Sequence, residues 1–481
     1  MKLRRYPLPG VHAEQLVIGT RIAGALITLF ALVITLSAAS ASQPATAGAS
    51  VPGQEQTAQA PTLALPPPDC GPYWKESPFS GIDTDARLSA VAAIAGNDVW
   101  AVGFTNSDSL TIHWDGNTWS VVPSPNAGRD DYLYGITAIS ADDVWAVGSY
   151  YAENVGYRTL TLHWDGIAWS IVPSAYAVGQ NYLLAVDAVS TNDVWAVGHL
   201  SAQTTSTLIL HWDGIAWSVV PGPDPLPPYV SLSGIAAISP GNVWAVGSST
   251  YYRDYTLILH WDGIAWSVVP SPNPGGAYNR LSDIEAVSAN DMWAVGVYDD
   301  RPLTIHWDGS AWSVVPSPRG GPAYNNLYSI AAISTSDVWA VGEYVNGPRY
   351  ETLVEHWNGT TWSVVSSANV GIYNNFLYGV SAASSSEMWA VGQAGNHRVL
   401  VEQFDPNPEI RFTDVCPFSY FYEHVHDLND LVIISGYNTA PPCDGPDYVP
   451  CFKPYNWTTR GQISKVVSLA AGFNDPVTTQ T

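Results

Sequence analysis

Six histidines recur in one short pattern along this 481-residue chain and are the first residues that could do chemistry. Each is followed by Trp, by Asp or Asn, and by Gly: His113, His163, His211, His260, His306 and His356. Imidazole nitrogens bind transition metals and exchange protons near neutral pH. However, each histidine belongs to its own copy of a repeat, too far from its counterparts to share an ion. We therefore predict a structural hydrogen-bonding role, with no metal and no cofactor.

Tyrosines and arginines form the second group, because they crowd segments whose length varies between the repeats. The candidate binding residues among them are Tyr132, Tyr151, Tyr251, Tyr252, Arg253, Tyr298 and Arg349. Rigid aromatic rings beside adaptable polar groups are typical of recognition surfaces, and tyrosine faces pack well on sugar rings. The alternative is that the tyrosines fill space between repeats and the arginines keep an acidic protein soluble.

The elements that position both groups are set by a repeat with a period of 45 to 50 residues. It is marked by the central Trp of a Val-Trp-Ala-Val-Gly segment or a close variant, at Trp100, Trp145, Trp195, Trp244, Trp293, Trp339 and Trp389. Each copy holds four short runs rich in Val, Ile, Trp and Thr, separated by Gly, Asn, Asp and Pro. Alternation of apolar and polar residues with turn signals predicts four strands per copy. Seven such copies predict an all-β fold, a seven-bladed β-propeller.

Closure of the ring is also predicted. The seventh copy, residues 376–404, stops after its third strand, whereas Trp74 precedes the first copy where a fourth strand belongs. An open terminal blade would leave an unpaired strand edge. We expect the segment around Trp74 to complete the last blade.

The turns of such blades are divided between two faces of the disc. The first-to-second and third-to-fourth turns share one face, which is monotonous because Asp-Gly or Asn-Gly recurs in a tight hairpin. The second-to-third turns and the links between blades share the other, which we call the variable face. All seven candidate binding residues fall there.

The Trp-Asp-Gly turn resembles the Asp-box hairpin of sialidase-type propellers, and the blades resemble kelch-like propellers related to the central domain of galactose oxidase. The resemblance covers residues 70–405 and implies the architecture. The Asp box has one more residue between Asp and Gly, and kelch blades carry a Gly-Gly doublet where this chain has one Gly. No catalytic residue is carried over, and no acid, Tyr and Arg set recurs at a diagnostic spacing. We predict that the protein is not an enzyme. A sialidase-like glycan hydrolase ranks third, after a recognition protein and a structural scaffold.

The N-terminus is typical of a secretory signal. Four basic residues, Lys2, Arg4, Arg5 and Arg21, precede an uncharged, mostly apolar run from Ile22 to Ala39, and an Ala-Ser-Ala segment follows at residues 39–41. This layout predicts a cleaved signal peptide over residues 1–41, the alternative being an uncleaved membrane anchor. Residues 42–69, rich in Ala, Pro and Thr, predict a disordered spacer.

Charge limits the partners. The net charge of −24 becomes −27 once residues 1–41 are removed. So acidic a chain repels phosphate backbones and anionic lipid surfaces. We therefore expect no nucleic-acid partner, and no membrane contact after signal cleavage.

Four cysteines follow the signal segment, an even number that favours disulfides in an exported chain. Of the three pairings, Cys443 with Cys451 and Cys70 with Cys416 is the most economical, because the second bridge would staple the ring. Metal binding is the alternative, although no CxxC pair is present.

The segment 411–472 departs from the repeat. In order, Arg411–Val415, Phe421–Tyr422, Ile433–Tyr437, Phe452–Tyr455 and Thr459–Gln462 resemble the landmarks of an S-layer homology (SLH) module, a bacterial wall anchor. By its own physics Thr459 with Gln462 is a helix capping box, and Arg460 lies in the first turn, where an anion is favoured. The resemblance implies a small helical domain in which Arg460, Thr459 and Gln462 bind wall polysaccharide. The alternative is that Arg460 only packs on the helix. Residues 473–481 form a tail.

These patterns together predict an extracellular protein of a bacterial cell wall or surface layer. An SLH-like module attaches it to wall polysaccharide, and the propeller recognises a carbohydrate or a protein. The alternative is a purely structural surface-layer scaffold.

Overall fold

The computed structural model describes residues 73–79, 81–82, 85–202, 204–223, 229–370, 373–395 and 397–406. The predicted signal peptide, the spacer, the SLH-like module and the tail lie outside these residues, and so do all four cysteines, Thr459, Arg460 and Gln462. The described residues form strands and turns. Among them, no helix has the length and apolar character needed to cross a bilayer.

The ring begins with a short strand and three complete blades. The first strand is β1 (Tyr73–Glu76). Blade 1 contains β2 (Ala86–Ala95), β3 (Asp98–Thr105), β4 (Ser109–Trp114) and β5 (Trp119–Val121). Blade 2 contains β6 (Arg129–Ser140), β7 (Asp143–Ala152), β8 (Gly156–Trp164) and β9 (Trp169–Ile171). Blade 3 contains β10 (Gln180–Ser190), β11 (Asp193–Ser201), β12 (Thr205–Trp212) and β13 (Trp217–Val219).

Four further blades complete it. Blade 4 contains β14 (Tyr229–Ser239), β15 (Asn242–Thr250), β16 (Asp254–Trp261) and β17 (Trp266–Val269). Blade 5 contains β18 (Asn279–Ser288), β19 (Asp291–Tyr298), β20 (Arg301–Trp307) and β21 (Trp312–Val314). Blade 6 contains β22 (Asn325–Ser334), β23 (Asp337–Asn346), β24 (Arg349–Trp357) and β25 (Trp362–Val364). Blade 7 contains β26 (Phe376–Ser384), β27 (Glu387–Ala394) and β28 (Arg398–Asp405).

Strand β1 is the missing fourth strand of blade 7. It pairs antiparallel with β28, with Trp74 opposite Phe404 and Tyr73 opposite Asp405. Trp74 is fully buried, and its ring lies 5.6 Å from Phe404 and 5.7 Å from Trp339 of blade 6. The predicted closure by Trp74 is therefore confirmed.

The hydrophobic core is divided into clusters that each span two neighbouring blades. One cluster joins Leu88 and Ile112 of blade 1 to Trp389 and Val401 of blade 7. Equivalent clusters occupy the other six interfaces. Since a blade buries its apolar faces only against its neighbours, the ring must close for every blade to be covered.

Local sequence explains the role of each strand. The second strand carries a Val-Trp-Ala-Val run, or Met-Trp-Ala-Val in blades 5 and 7, which is buried on both of its faces between adjacent blades. The fourth strand has three or four residues. A buried Trp is its first residue, or its second in β1, and the residues after this Trp are largely exposed. Short outer strands limit edge-to-edge aggregation.

The single Gly after Trp-Ala-Val has a steric cause. A Cβ on Gly103 would lie 2.0 Å from the carbonyl oxygen of Arg87, and a Cβ on Gly198 would lie 2.0 Å from that of Tyr182. The close approach occurs where the first strand bulges, between Leu88 and Ala90 in blade 1. Only glycine fits opposite such a bulge.

Replacing the latch side chain tests ring closure. We expect Trp74→Ala to lower the free energy of unfolding by about 3–5 kcal/mol, because a large buried ring is lost from two blades. Urea denaturation followed by tryptophan fluorescence measures this. Lys75→Ala is the matched control, since Lys75 forms an exposed ion pair with Asp405 at 2.9 Å, a class of interaction that contributes about 0–1 kcal/mol. Equal effects of the two substitutions would contradict closure through Trp74.

Candidate functional site: the variable face and the central channel

The recurrent histidines bond within their own blades. His113 Nε2 lies 2.8 Å from Asp98 Oδ1, and His163 Nε2 lies 2.9 Å from Asp143 Oδ1. His211, His306 and His356 make the same contact with Asp193, Asp291 and Asp337, and His260 makes it with Asn242. Each partner opens the second strand, so the bond ties the third strand to the first-to-second turn. The predicted hydrogen-bonding role is confirmed.

The Asp-Gly turns are hairpins of the predicted kind. Asp115 Oδ1 accepts hydrogen bonds from the backbone N–H groups of Asn117 and Thr118, both at 2.8 Å, and Gly116 has a φ of 95°. These hydrogen bonds hold the pKa of Asp115 below its usual range. The recurrent His and Asp side chains of the monotonous face are thus occupied by structural contacts. No group of three or more His, Cys, Asp or Glu side chains in the described residues is placed to hold a metal.

The variable face also has a structural layer, which the sequence analysis missed. At the start of five first strands, a buried Asp or Asn accepts a hydrogen bond from the preceding link: Asp131, Asn181, Asn279, Asn325 and Asn375. For example, Asn181 Oδ1 accepts from the Ala177 N–H at 2.9 Å. The sequence pattern that could have predicted this contact is Asn-x-Leu or Asp-x-Leu, which recurs at the start of these five strands. Much of the Asn content of these links therefore shapes loops.

The seven candidate binding residues lie on four different blades. On blade 2, Tyr132 packs on Phe104 of blade 1 at 4.5 Å, and Tyr151 packs on Tyr157 at 5.5 Å. Tyr298 of blade 5 packs against the interface between blades 4 and 5. Arg349 of blade 6 lies 3.5 Å from Glu351. These residues are half-buried in contacts of their own blades and neighbours.

The remaining candidates form an exposed group on blade 4. Tyr251 and Tyr252 are 61% and 87% exposed, and their ring centroids lie 4.4 Å apart. Arg253 donates from Nη1 to the carbonyl oxygen of Gly276 at 2.7 Å. The Tyr251 and Tyr252 rings therefore offer free aromatic surface to a ligand.

The structure adds a larger feature, a run of aromatic rings around one side of the channel mouth. We call it the aromatic arc; it crosses blades 6, 7, 1, 2 and 3 and contains Tyr350, Tyr328, Phe376, Tyr378, Phe104, Tyr132, Tyr134, Tyr157 and Tyr182. Blades 4 and 5 carry Ser231 and Arg280 at the positions equivalent to Tyr182. The mouth of the channel is therefore aromatic on one side and polar on the other.

The first strands enclose a central channel with a cavity of about 280 Å³. Its lining includes Ser89, Ser233 and Ser282, and the acidic residues Asp187, Asp283 and Glu285. The three acidic residues lie on the inner first strands of blades 3 and 5. The channel lining is therefore rich in hydrogen-bonding groups.

Two of these carboxylates join neighbouring blades. Asp187 accepts from the Ala237 N–H of blade 4 at 2.7 Å and from Thr137 Oγ1 of blade 2 at 3.3 Å. Asp283 accepts from Ser329 Oγ at 2.9 Å and from the Ile330 N–H at 3.1 Å. Burial raises the pKa of Asp187 and of Asp283 to about 6 in spite of these bonds. Burial, and then the charges of both aspartates, raise the pKa of Glu285 well above its usual range.

Other buried acids lie beside the arc and between blades. Glu343 is 4% exposed and accepts a hydrogen bond from Tyr328 Oη at 2.9 Å, while burial raises its pKa to about 7. Glu355 and Glu402 stand opposite the Ala of the Trp-Ala-Val run, where blades 1 and 2 have Ile112 and Leu162. Burial raises the pKa of Glu355 to about 8 and that of Glu402 well above its usual range.

Fold and site together define a closed all-β propeller with an aromatic and hydroxyl-lined mouth on its variable face. Among solved structures the chain is similar to YCF48 bound to D1 peptide, with 18% identity, a TM-score of 0.46, and coverage of 72% of this chain and 98% of that one. It is similar to the WD40 propeller domain of Doa1, with 14% identity, a TM-score of 0.48, and coverage of 70% and 98%. It is also similar to YCF48 from Cyanidioschyzon merolae, with 17% identity, a TM-score of 0.46, and coverage of 69% of this chain and 99% of that one. These likenesses concern the fold alone. No family model matches the chain, and no curated protein matches it.

The buried acids predict how stability depends on pH. A raised folded-state pKa means that the folded protein holds these protons to higher pH than the unfolded chain, so stability falls as pH rises. From the pKa values of Asp187, Asp283 and Glu355, we expect the melting temperature to fall steadily between pH 5 and pH 8. Calorimetry across this range measures it.

A substitution assigns part of this pH effect. Glu355→Leu restores the aliphatic residue of other blades and should raise the melting temperature more at pH 8 than at pH 5, because no buried carboxylate is left to ionise. Glu153→Leu, at an exposed turn, is the control and should leave the pH profile unchanged. A gain for Glu355→Leu that is equal at both pH values would contradict the assignment.

Proposed function

We propose that this chain is an exported cell-envelope protein in which a kelch-like propeller serves as a recognition disc. Its signal-like segment 1–41 directs export, and the spacer 42–69 separates the propeller from it. The SLH-like segment 411–472 holds the protein on acidic wall polysaccharide through Arg460, with Thr459 and Gln462 beside it. The support for export and anchoring is the order of these sequence landmarks.

The observation that carries the recognition proposal is the contrast between the two faces. On the monotonous face, the histidines and the Asp carboxylates are bonded within the protein. On the variable face, the aromatic arc follows one side of the channel mouth, three of its residues line the cavity, and Tyr251 and Tyr252 are exposed to solvent. Loops held on a rigid scaffold are the usual place for binding residues.

A carbohydrate is the ligand class that this face fits best. Sugar rings stack on tyrosine and phenylalanine faces, and sugar hydroxyls bond to serine hydroxyls and carboxyl groups, for which Ser233, Ser282 and Glu285 of the cavity lining are candidates. A peptide would instead need apolar pockets for alternate side chains. A protein ligand is the competing outcome of the binding test.

We assign no catalysis to the channel. The carboxylate oxygens of Asp187 and Asp283 accept hydrogen bonds from neighbouring blades at 2.7 to 3.3 Å. A hydrolase needs a pair of carboxyl groups free to act on the glycosidic bond from opposite sides. The carboxylates of the channel are better explained as staples between blades and as hydrogen-bond acceptors for a ligand.

Binding to a glycan array tests recognition. We expect the purified protein to bind a subset of glycans, and Tyr251→Ala/Tyr252→Ala to weaken binding about tenfold through loss of stacking. Tyr251→Phe/Tyr252→Phe is the matched control, which keeps both rings and should keep binding. If no glycan binds while a protein is captured reproducibly from the cell surface, the carbohydrate proposal is wrong.

Sedimentation with purified cell-wall sacculi tests anchoring. Arg460→Ala should reduce the bound fraction several-fold, because a charge-assisted hydrogen bond to an acidic polymer is lost. Lys465→Ala removes the same charge five residues later and should leave most of the binding in place. Equal losses in both variants would indicate nonspecific attraction to the wall.

A further inference from the structure

Arg87 is a cation fixed at the mouth of the channel. It is the second residue of β2, the first strand of blade 1, and therefore lies at the variable-face end of that strand. Its guanidinium carbon lies 4.6 Å from the ring centroid of Phe104 and 4.9 Å from that of Tyr378. Phe104 belongs to blade 1 and Tyr378 to blade 7, so the guanidinium lies at the interface between the first and last blades. Stacking on two rings holds its orientation.

This cation has no anion beside it. Nε of Arg87 is buried without a hydrogen-bond partner, and no carboxylate of the described residues forms an ion pair with Arg87. Two other arginines on the variable face are paired with carboxylates: Arg280 with Asp254 at 2.7 Å, and Arg398 with Glu76 at 2.8 Å. A partly desolvated charge without a partner is unfavourable in the free protein, so an incoming anion gains more here than at an exposed arginine.

Hydroxyl groups surround the same spot. Tyr134 and Tyr378 line the cavity together with Ser89, which lies two residues after Arg87. Both tyrosines lie near enough for the Arg87 charge to oppose the effect of burial on their pKa values. A carboxylate on the guanidinium would therefore meet O–H donors as well as N–H donors.

The channel acids lie deeper than Arg87. In strand register, Asp283 corresponds to Ala90, and Asp187 and Glu285 correspond to Ala92. At 3.3 Å per residue they are roughly 10 to 17 Å further along the channel. An anionic group at the mouth and hydroxyl groups below it would thus each meet suitable partners.

We propose that Arg87, stacked between Phe104 and Tyr378, binds the carboxylate of an acidic sugar residue at the mouth of the channel. The inference rests on the proposed recognition function and names its ligand class. The acidic sugar ring packs on the aromatic arc, and hydroxyls of the following sugar residues bond to polar side chains deeper in the cavity. An acidic sugar is favoured over a peptide carboxylate because residues with hydroxyl or carboxyl side chains, among them Thr137, Ser282 and Glu285, recur along the lining beyond Arg87.

The test uses the purified full-length protein with uronate-containing oligosaccharides and their carboxyl methyl esters, measured by titration calorimetry. We expect the parent protein to bind the acids, and to bind the esters at least tenfold more weakly. The Arg87→Gln variant should likewise bind the acids at least tenfold more weakly than the parent does. Arg87→Lys keeps the charge and should retain part of the affinity. Arg319→Gln, an exposed arginine on the same face, is the charge-matched control and should bind like the parent. Thermal melts establish that each variant is folded, and Tyr134→Phe replaces Arg87→Gln if that variant is not.

Two results would overturn the inference while leaving the recognition function in place. One is equal binding of acids and esters in a protein that still binds glycans on the array. The other is unchanged affinity in folded Arg87→Gln. Selective binding of a peptide with a free C-terminal carboxylate, but not of its amide or of any uronate, would overturn the sugar assignment. Absence of binding to every glycan would instead remove the proposed function itself.

Discussion

The interaction on which the rest of the structure depends is the packing of one tryptophan at each blade interface. Trp100 lies 4.4 Å from His113 of its own blade and 4.7 Å and 5.3 Å from Trp164 and Trp169 of the next. Blade 7 has no His-Trp pair, yet Phe404 and Trp74 supply the equivalent rings for Trp339. Because each blade is covered only by its neighbours, the ring is stable as a closed set of seven interfaces.

This constraint separates the two faces of the disc. The histidines, the Asp-Gly turns and the tryptophans all serve the interfaces and the hairpins, so none is left over for a ligand. The variable face is partly structural too, since buried Asn and Asp side chains such as Asn181 close the links. On the variable face, the channel mouth, the aromatic arc and the Tyr251 and Tyr252 pair are not taken up by the loop-closing bonds. On the monotonous face, the exposed side chains of the hairpins include Ile167, Ile215 and Ile264.

Several acidic residues occupy positions where the other blades have small or aliphatic residues. Asp187, Asp283 and Glu285 stand where other first strands have small residues, and Glu355 and Glu402 replace aliphatic residues between blades. A buried carboxylate costs stability that an aliphatic residue would provide. Such substitutions are tolerated because the repeated interfaces supply stability elsewhere, and those on the first strands add acidic side chains to the channel lining.

By itself, the sequence determined the number of blades, the strands of each, the hairpin turns and the closure by Trp74, because these depend on local alternation, turn residues and the count of repeats. Only the tertiary structure decided which polar residues meet. It placed Tyr132 and Tyr298 in packing contacts and left Tyr252 in solvent, although all three read alike in sequence. It brought Arg87 between Phe104 and Tyr378, nearly the whole ring apart along the chain. Contacts of that kind arise from the closure of the disc, and no local pattern encodes them.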